Sequence, residues 1–255
     1  MTIDIPHMIK LCLNVGQSIM DIYQKEGTKV QNKKDLSPLT EADLLANEMI
    51  ELDLKTKYPE IPIISEEKIN ASYSVRKNWE YCWIIDPMDG TKEFIEKTDE
   101  FTVNIALIKN TEVVCGFVHI PTTKTTYYAV KGTGSYKVTN GKIKPIQCRP
   151  YPSKNEAKII TVSRFHKDKK TFDFINKLRK FELLEIGSVI KILAIAEGKA
   201  DLYPRLGHLS EWDIAAAHII LLEAGGNLVS LYGKKPLFYN KKRLKLPYFL
   251  AFGKQ

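Results

Sequence analysis

The most restrictive feature of the sequence is the segment WIIDPMDGTKEF at residues 83–94, where an apolar run ends in two aspartates. Asp86 and Asp89 are three residues apart, with Pro87 and Met88 between them. Two carboxylates this close repel each other unless a positive charge lies between them. Because proline also keeps the backbone out of a helix, the segment is predicted to leave a buried strand in a tight turn that presents both carboxylates together.

The oxygen atoms of this predicted turn suit a hard divalent cation. The carbonyl of Met88 can point the same way as the two carboxylates, and residues 83–94 contain no His or Cys. Oxygen-only ligand sets of this kind are typical of Mg²⁺ sites. The alternative is a surface turn in which an aspartate caps Gly90 and Thr91.

Two other acidic stretches bear on this choice. Glu66 and Glu67 follow a predicted strand at 61–64 and can bring a further oxygen ligand, although adjacent carboxylates at a strand end are commonly only solvated. Asp213 begins a predicted helix at 212–226, where it serves either as an N-cap or as a carboxylate presented from the helix N-terminus.

The first two predicted elements are helices. Apolar residues recur at helical spacing near the N-terminus, which predicts an amphipathic helix that ends near Gly27. After a polar loop at 31–38, a second helix begins at its N-cap Thr40 and ends at Pro59. Asp43 stands at the position of the acid in a capping box.

Later segments predict an α+β first part and an α/β second part of one compact unit. Strands are predicted at 61–64, 82–85, 102–108, 113–120, 125–130, 158–163 and 200–204, and helices at 168–180, 188–198 and 212–226. The Pro-Tyr-Pro break at 150–152 places a boundary near residue 150. We therefore expect an α+β part at 1–150 and an α/β part at 151–255.

Composition and charge limit the class of protein. The formal net charge of +8 favours anionic partners such as nucleic acid, anionic lipid or phosphorylated metabolites, unless it reflects only a Lys-rich composition. The four cysteines are widely spaced, which predicts free thiols rather than disulfides or a zinc site. No apolar run approaches the roughly 18 residues that span a bilayer, and the N-terminus lacks signal-peptide features, so we expect a cytoplasmic protein.

Several motifs together resemble those of the inositol monophosphatase superfamily, whose members are Mg²⁺-dependent, Li⁺-sensitive phosphatases. They are the paired glutamates after a strand, D-P-M-D-G-T at 86–91 and W-D-x-A-A…E-A-G-G at 212–226. Three more, K-E-F at 92–94, S-R-F-H at 163–166 and A-E-G-x-A-D-L-Y-P-R at 196–205, are similar to the 3′(2′),5′-bisphosphate nucleotidases of the bacterial CysQ type. The similarity runs from about residue 8 to the end, and it implies a layered αβαβα sandwich.

The resemblance implies a site that holds two or three Mg²⁺ ions. The implied metal ligands are Glu66, Asp86, the Met88 carbonyl, Asp89 and Asp213. Glu66 and the Thr91 hydroxyl are implied to orient a water molecule and accept its proton before in-line attack on phosphorus, while the second metal stabilises the leaving ribose oxygen. Asp43 is implied to help hold a third metal or its water. The 1–150 part thus carries most of the ligands, and 151–255 carries one.

The resemblance also implies a set of substrate-binding residues, most of them in the second part. They are Gly90, Thr91, Ser163, His166, Gly187, Ser188, Lys191, Arg205 and Asp213. Lys191 and Arg205 are suited to a second phosphate, and the amides of Gly90 and Thr91 to phosphate oxygens. Without the resemblance, the favoured interpretation of Lys191 is a solvated helix residue, and that of His166 is a loop residue that caps the next helix.

The sequence departs from the family pattern at several positions in the substrate-binding half. Val189 replaces a usual hydroxyl residue, Ala217 replaces a usual glycine, and R-L-G-H-L-S-E-W at 205–212 differs from the common R-F-G-P-T-x-x-W. None of these positions is an implied metal ligand. The departures therefore bear on substrate preference rather than on hydrolysis.

The function implied by the resemblance is removal of the 3′-phosphate of adenosine 3′,5′-bisphosphate, which gives AMP and phosphate. This reaction clears a by-product of sulfate assimilation, and the 3′-phosphorylated sulfate donor is a second expected substrate. One alternative is an inositol monophosphatase or sugar phosphatase, against which Lys92-Glu93 and the Y-P-R segment argue. Another is a non-catalytic nucleotide- or RNA-binding relative, against which the complete set of acidic residues argues.

Expectations about partners follow from the same resemblance. We expect a small-molecule nucleotide bisphosphate as the substrate and no nucleic acid partner. The Lys-rich segment at 234–247 suggests weak peripheral contact with the inner face of an anionic membrane, or simply a solvated edge of the fold. Oligomeric state is left open by the sequence.

Overall fold

In the computed structural model, which describes residues 2–25, 30–32, 38–69 and 71–254, the first part of the chain forms a seven-stranded sheet. Its strands lie side by side in chain order, and every pair is antiparallel except β3–β4, which is parallel. The strands are β3 (Ile63–Ser65), β4 (Tyr81–Asp89), β5 (Thr102–Lys109), β6 (Glu112–Ile120), β7 (Thr125–Val130), β8 (Ser135–Thr139) and β9 (Lys142–Ile146). A separate short hairpin joins β1 (Val30–Asn32) to β2 (Pro38–Thr40).

The second part forms a five-stranded sheet in the order β11-β10-β12-β14-β13. Its strands are β10 (Lys158–Ser163), β11 (Phe181–Ile186), β12 (Leu202–Arg205), β13 (Asn227–Ser230) and β14 (Phe249–Phe252). Strand β10 is parallel to β11 and β12, whereas β14 is antiparallel to β12 and β13. Because β10, β11 and β12 run parallel, the loops that follow them all lie at one edge of the sheet, where ligands bind in open α/β sheets.

Helices fill the layers on both sides of the sheets. The helices are α1 (Ile5–Tyr23), α2 (Glu41–Lys57), α3 (Tyr73–Arg76), α4 (Thr91–Ile95), α5 (Lys169–Ile175), α6 (Ile190–Ala196) and α7 (Ala215–Glu223), with a 3₁₀ turn at Pro121–Thr123. Helices α1 and α2 pack on one face of the first sheet, α6 and α7 lie between the two sheets, and α5 packs on the far side of the second. The predicted αβαβα order is confirmed.

Alternation along β4 explains how one strand serves two layers. Trp83 and Ile85 belong to the core under α1 and α2, while Cys82 and Ile84 belong to the core shared with α6 and α7. Successive side chains of a strand point to opposite faces, so a continuous apolar run is what a sheet buried on both faces requires.

Several element boundaries differ from the sequence prediction. Helix α1 ends at Tyr23, and the predicted end near Gly27 lies outside the described residues. Helix α5 ends at Ile175 rather than near 180, and strands β8 and β9 were not predicted. The predicted loop at 31–38 instead contributes its ends to the β1–β2 hairpin, with 33–37 outside the described residues.

The remaining global expectations have different outcomes. All four cysteines are buried and unpaired, so the prediction of free thiols is confirmed. Among the described helices, none is long and apolar enough to cross a membrane. The first sheet ends at Ile146 and the second begins at Lys158, but α7 of the second part packs on strands of the first. A division of the chain near residue 150 stays a prediction.

Candidate functional site

The two aspartates of β4 are held by a bulge rather than by the predicted tight turn. Asp86 pairs with Asn104 of β5 and Asp89 pairs with Thr102, so β4 has one more residue than β5 between these pairs. In a regular strand, residues three apart point to opposite faces. One extra residue reverses that relation, and both aspartates line the same cavity. Pro87 fits inside the bulge because it has no N–H to donate to a ladder.

Three carboxylates from distant segments converge beside this bulge. Oxygen atoms of Glu66, Asp86 and Asp213 all lie within 4.8 Å of one another. Glu66 follows β3, and its amide donates to Ile85 O at 3.1 Å, which extends the β3–β4 pairing. A cluster of this kind brings together hard oxygen ligands from three separate segments.

Asp213 is positioned differently from the sequence prediction. Helix α7 begins at Ala215, with Ile214 in the N-cap position, so Asp213 lies in the turn before the helix rather than at its start. Its Oδ2 accepts from the Ser210 amide at 2.7 Å. This hydrogen bond holds the carboxylate toward the cavity instead of toward the helix N-terminus.

Asp89 and Met88 complete the predicted ligand set along the cavity wall. Asp89 Oδ2 accepts from the Val189 amide at 2.6 Å, which links β4 to the segment before α6. The amide of Met88 donates to Asp86 Oδ1 at 3.1 Å, and its carbonyl oxygen lies 3.4 Å from the Thr91 hydroxyl. The first part of the chain thus contacts the second at the candidate metal site itself.

Burial and mutual repulsion raise the pKa of these carboxyl groups. The pKa of Asp86 is raised well above its usual value by burial, and then by the charges of Glu66, Asp89 and Asp213. Burial followed by the Glu66 charge raises the pKa of Asp213 to about 7. Burial followed by the Asp213 charge raises the pKa of Asp89 to about 8, although Lys191 opposes the shift. A bound divalent cation would remove this repulsion, so the donor set fits a metal.

The capping box of α2 reaches the candidate site. The amide and hydroxyl of Thr40 donate to Asp43 Oδ2 at 2.7 and 2.6 Å, as the sequence predicted for a capping box. The other carboxylate oxygen of Asp43 accepts from the Thr91 hydroxyl at 3.2 Å. Asp43 is buried behind Thr91 and does not line the cavity itself, so it acts on the site through the Thr91 hydroxyl.

Two buried cations face the acidic cluster from the second part. The Lys191 ammonium donates to the carbonyls of Ile186 and Ser188, and burial lowers its pKa to about 8. Arg205, at the end of β12, is only 9% exposed, and its Nε has no hydrogen-bond partner among the described residues. A buried, unsatisfied guanidinium N–H is costly, so this donor is available to a group that enters the cavity.

The other predicted substrate residues are placed as follows. The His166 amide donates to Ser163 Oγ at 3.1 Å, and the pKa of His166 is lowered by burial and then by Arg205. Gly90 has a φ of +95°, and a Cβ there would lie 2.9 Å from a backbone oxygen. Gly187 does not line the cavity, and its amide donates to Glu100 Oε2 at 2.7 Å.

The structure joins these residues around one cavity of about 800 Å³. Residues of both parts line it, and several of them were not predicted as site residues: Lys92, Glu93, Tyr203, His208, Leu209, Trp212 and Lys245. Most of these lie within or beside a motif that the sequence analysis describes, so proximity in sequence is a usable signal for them. Lys245 is far from these motifs, and the pairing of 244–246 with 209–211, which includes its antiparallel bridge to Ser210, brings it to the cavity.

Comparisons with known proteins agree with this geometry. The Inositol monophosphatase family matches residues 4–248. The chain is 40% identical over 228 residues to the "3′(2′),5′-bisphosphate nucleotidase CysQ" of Salmonella typhimurium, covering 88% of this chain and 89% of that protein. Its fold matches the crystal structure of CysQ from Bacteroides thetaiotaomicron with a TM-score of 0.85 and 37% identity, covering 98% and 97% of the two chains. An inositol monophosphatase of Thermotoga maritima matches with a TM-score of 0.76 and 28% identity, covering 96% and 90%.

Proposed function

The chain belongs to the inositol monophosphatase family, and from that premise we propose that it is a metal-dependent 3′(2′),5′-bisphosphate nucleotidase. The proposed reaction converts adenosine 3′,5′-bisphosphate to AMP and phosphate, and it extends to the 3′-phosphorylated sulfate donor. Names of the relatives support this activity. The observation that carries it is a buried arginine, Arg205, whose Nε has no hydrogen-bond partner in the described part of the chain and which lines the same cavity as the carboxylate cluster.

Two separate charge centres in one cavity favour a substrate with two phosphates. The carboxylate cluster, together with the metal ions that it would hold, binds the phosphate that is removed. Arg205 and Lys191 take the phosphate that stays, since a guanidinium binds phosphate oxygens in a bidentate manner and an ammonium binds them as a point charge. Inositol 1-phosphate carries a single phosphate, and it would leave the Arg205 guanidinium without an anion.

We propose that the bound metal is Mg²⁺, with two or three ions in the site. Glu66, Asp86, Asp89, Asp213 and the Met88 carbonyl would hold them, since carboxylate and carbonyl oxygens are the ligands that this cation prefers. Bound there, such ions lower the pKa of water and offset the charge that develops on the phosphate and the leaving oxygen.

The protein's own groups position the attacking water. Because the Thr91 hydroxyl donates to Asp43, the lone pairs of its oxygen are available to accept a hydrogen bond from water. Glu66, at the edge of the cluster, is the proposed acceptor of the water proton. The water oxygen bonds to phosphorus, the bond from phosphorus to the ribose 3′-oxygen breaks, and that oxygen takes up a proton to leave as the AMP hydroxyl.

The test is phosphate release with Mg²⁺ from adenosine 3′,5′-bisphosphate and from inositol 1-phosphate. We expect wild type to prefer the bisphosphate strongly and Asp89→Asn to be inactive, while the exposed Asp173→Asn behaves like wild type. Arg205→Ala should raise KM for the bisphosphate but not for inositol 1-phosphate, with the exposed Arg179→Ala as its matched control. A preference for inositol 1-phosphate would overturn the substrate assignment, and no hydrolysis of either would favour a non-catalytic binding protein.

The same assay extends to Li⁺. We propose that Li⁺ inhibits the reaction, as the family resemblance implies. Activity that is indifferent to millimolar Li⁺ would contradict this part of the proposal and leave the substrate assignment in place.

A further inference from the structure

Three aromatic rings form a row that leads outward from the cavity. His208 lines the cavity, its ring centroid lies 6.4 Å from that of Tyr248, and Tyr248 lies 6.5 Å from Tyr232. We call these three residues the aromatic strip. The rings are tilted by 51° and 47° and do not cover each other's faces. Tyr232 is 75% exposed, which is unusual for a large ring and leaves it accessible to a ligand.

Lysine side chains accompany the aromatic strip. The Lys170 ammonium lies 2.9 Å from the Tyr248 hydroxyl and 5.2 Å from the centre of its ring. Lys245 lines the cavity at the same rim, where its ammonium donates to Ser210 Oγ at 3.0 Å. Exposed rings with interleaved cations are the features that bind single-stranded nucleotides, because bases stack on rings and phosphates contact cations.

The aromatic strip begins next to the proposed site of the second phosphate. A Cβ on Gly207 would lie 3.2 Å from Cζ of Arg205, so the backbone runs against the guanidinium and His208 follows directly. His208 and Leu209 lie in the segment that departs from the family pattern, and both line the cavity. A substituent on a phosphate held by Arg205 would therefore meet the aromatic strip first.

We propose that the aromatic strip is a second nucleotide subsite and that the substrates include short oligonucleotides ending in a 3′-phosphate. This inference rests on the proposed function and extends the expected mononucleotide substrate. The terminal nucleotide occupies the cavity, its 5′-phosphodiester lies at Arg205, and the preceding base stacks on the aromatic strip. The bond that breaks is again the one between the 3′-oxygen and the terminal phosphate, with water supplying the new oxygen on phosphorus.

An anionic membrane surface is the other ligand with matching chemistry, since lysines and interfacial tyrosines also bind lipid. The nucleotide is favoured because the aromatic strip is continuous with the cavity through His208, which lines the cavity. Binding to a flat lipid surface does not require contact with the cavity wall, whereas a substrate longer than one nucleotide must leave the cavity at its rim.

The test compares the hydrolysis of three substrates in the presence of Mg²⁺. They are adenosine 3′,5′-bisphosphate, a diadenylate with a 3′-phosphate, and the 5′-methyl ester of adenosine 3′,5′-bisphosphate, which has the diester but lacks the second base. Each is assayed with wild type, Tyr248→Ala, Tyr232→Ala and the control Tyr136→Ala, a tyrosine of the first sheet. The quantity compared is kcat/KM for each longer substrate divided by kcat/KM for the bisphosphate.

We expect the diadenylate ratio to fall about tenfold in Tyr248→Ala and less in Tyr232→Ala, because stacking of one base contributes on this scale. The ratio for the methyl ester, and both ratios in Tyr136→Ala, should stay at the wild-type value. Hydrolysis of the bisphosphate without hydrolysis of the diadenylate overturns the subsite and leaves the proposed function in place. An unchanged diadenylate ratio in both strip variants also overturns it.

Direct binding decides the question if no substrate is hydrolysed. Calorimetric titration with the diadenylate should then show weaker binding to Tyr248→Ala than to wild type, and equal binding overturns the inference. Sedimentation with vesicles of phosphatidylglycerol and phosphatidylcholine tests the lipid alternative. Vesicle binding that depends on Tyr248, together with diadenylate binding that does not, would assign the aromatic strip to a membrane surface.

Discussion

Asp213→Asn should stabilise the metal-free protein while abolishing hydrolysis. Oxygen atoms of Asp213, Glu66 and Asp86 lie within 4.8 Å of one another, and two unit charges at that separation repel by about 3.5 kcal/mol at an effective dielectric constant of 20. Asparagine keeps the acceptor for the Ser210 amide and removes the charge. Because proton uptake relieves part of the repulsion in wild type, we expect a gain of about 1–3 kcal/mol in the free energy of unfolding at pH 8.

The difference in the free energy of unfolding between Asp213→Asn and wild type should depend on pH and on Mg²⁺, and the pKa shift of Asp213 fixes the direction. Asp213 has a pKa of about 7 in the folded protein against 3.8 as its ordinary value, so the folded state binds more protons between these values. The contribution of Asp213 to the free energy of unfolding of the metal-free protein should therefore fall as pH rises from about 4 to 7. The advantage of the variant should shrink toward pH 5, where Asp213 is protonated. Saturating Mg²⁺ should stabilise wild type more than the variant.

Urea unfolding in EDTA, at pH 5 and pH 8, measures these differences. Asp173→Asn removes an exposed carboxylate whose partner Lys169 is also exposed, and it should change stability by less than about 0.5 kcal/mol. An Asp213→Asn protein that is less stable than wild type at pH 8 without metal would refute the electrostatic reasoning. Equal stabilisation of both proteins by Mg²⁺ would refute the role of Asp213 as a ligand.

Three further predictions concern the structure that supports the site. Gly116→Ala places a Cβ 2.5 Å from the Ala216 carbonyl, so thermal unfolding should show a loss of about 1–3 kcal/mol, and an unchanged midpoint would contradict this close contact. Glu211→Gln replaces one acceptor oxygen with a donor NH2 at a buried group that accepts from the amides of Asn240 and Lys241 and from the Lys241 ammonium; urea unfolding should show a loss of about 1–3 kcal/mol, and an equal or more stable variant would contradict this hydrogen bonding. Burial lowers the pKa of His218 to about 4, so stability should fall as pH drops from about 6.5 to 4, less steeply in His218→Gln.

The acidic bulge illustrates where local reasoning succeeded and where it failed. The composition of D-P-M-D pointed to hard oxygen ligands on one side of the chain, and both aspartates do line the cavity. The predicted turn was wrong, because β4 continues through Asp89 and a bulge reorients the carboxylate. A bulge is defined by a register shift against β5, and pairing between strands is absent from a local stretch of sequence.

The capping box of α2 is a contrasting case. The spacing from Thr40 to Asp43 predicted the cap, and the hydrogen bonds confirm it. Contacts within one turn depend only on neighbours in the chain. That the second oxygen of Asp43 meets the Thr91 hydroxyl depends on how α2 packs against the first sheet, so only the structure shows it.

The sequence by itself determined most helices, the buried strands and the acidic motifs, because hydrophobic period and short motifs act between neighbours in the chain. The layer order and the substrate-binding residues came from the family resemblance that these motifs carry. Only the tertiary structure decided which distant groups meet. It brought Glu66, Asp86 and Asp213 together, left the Nε of Arg205 without a partner among the residues that the structure describes, and carried Lys245 to the cavity rim. These outcomes depend on strand register and helix packing, in which small shifts move a side chain from one face or cavity to another.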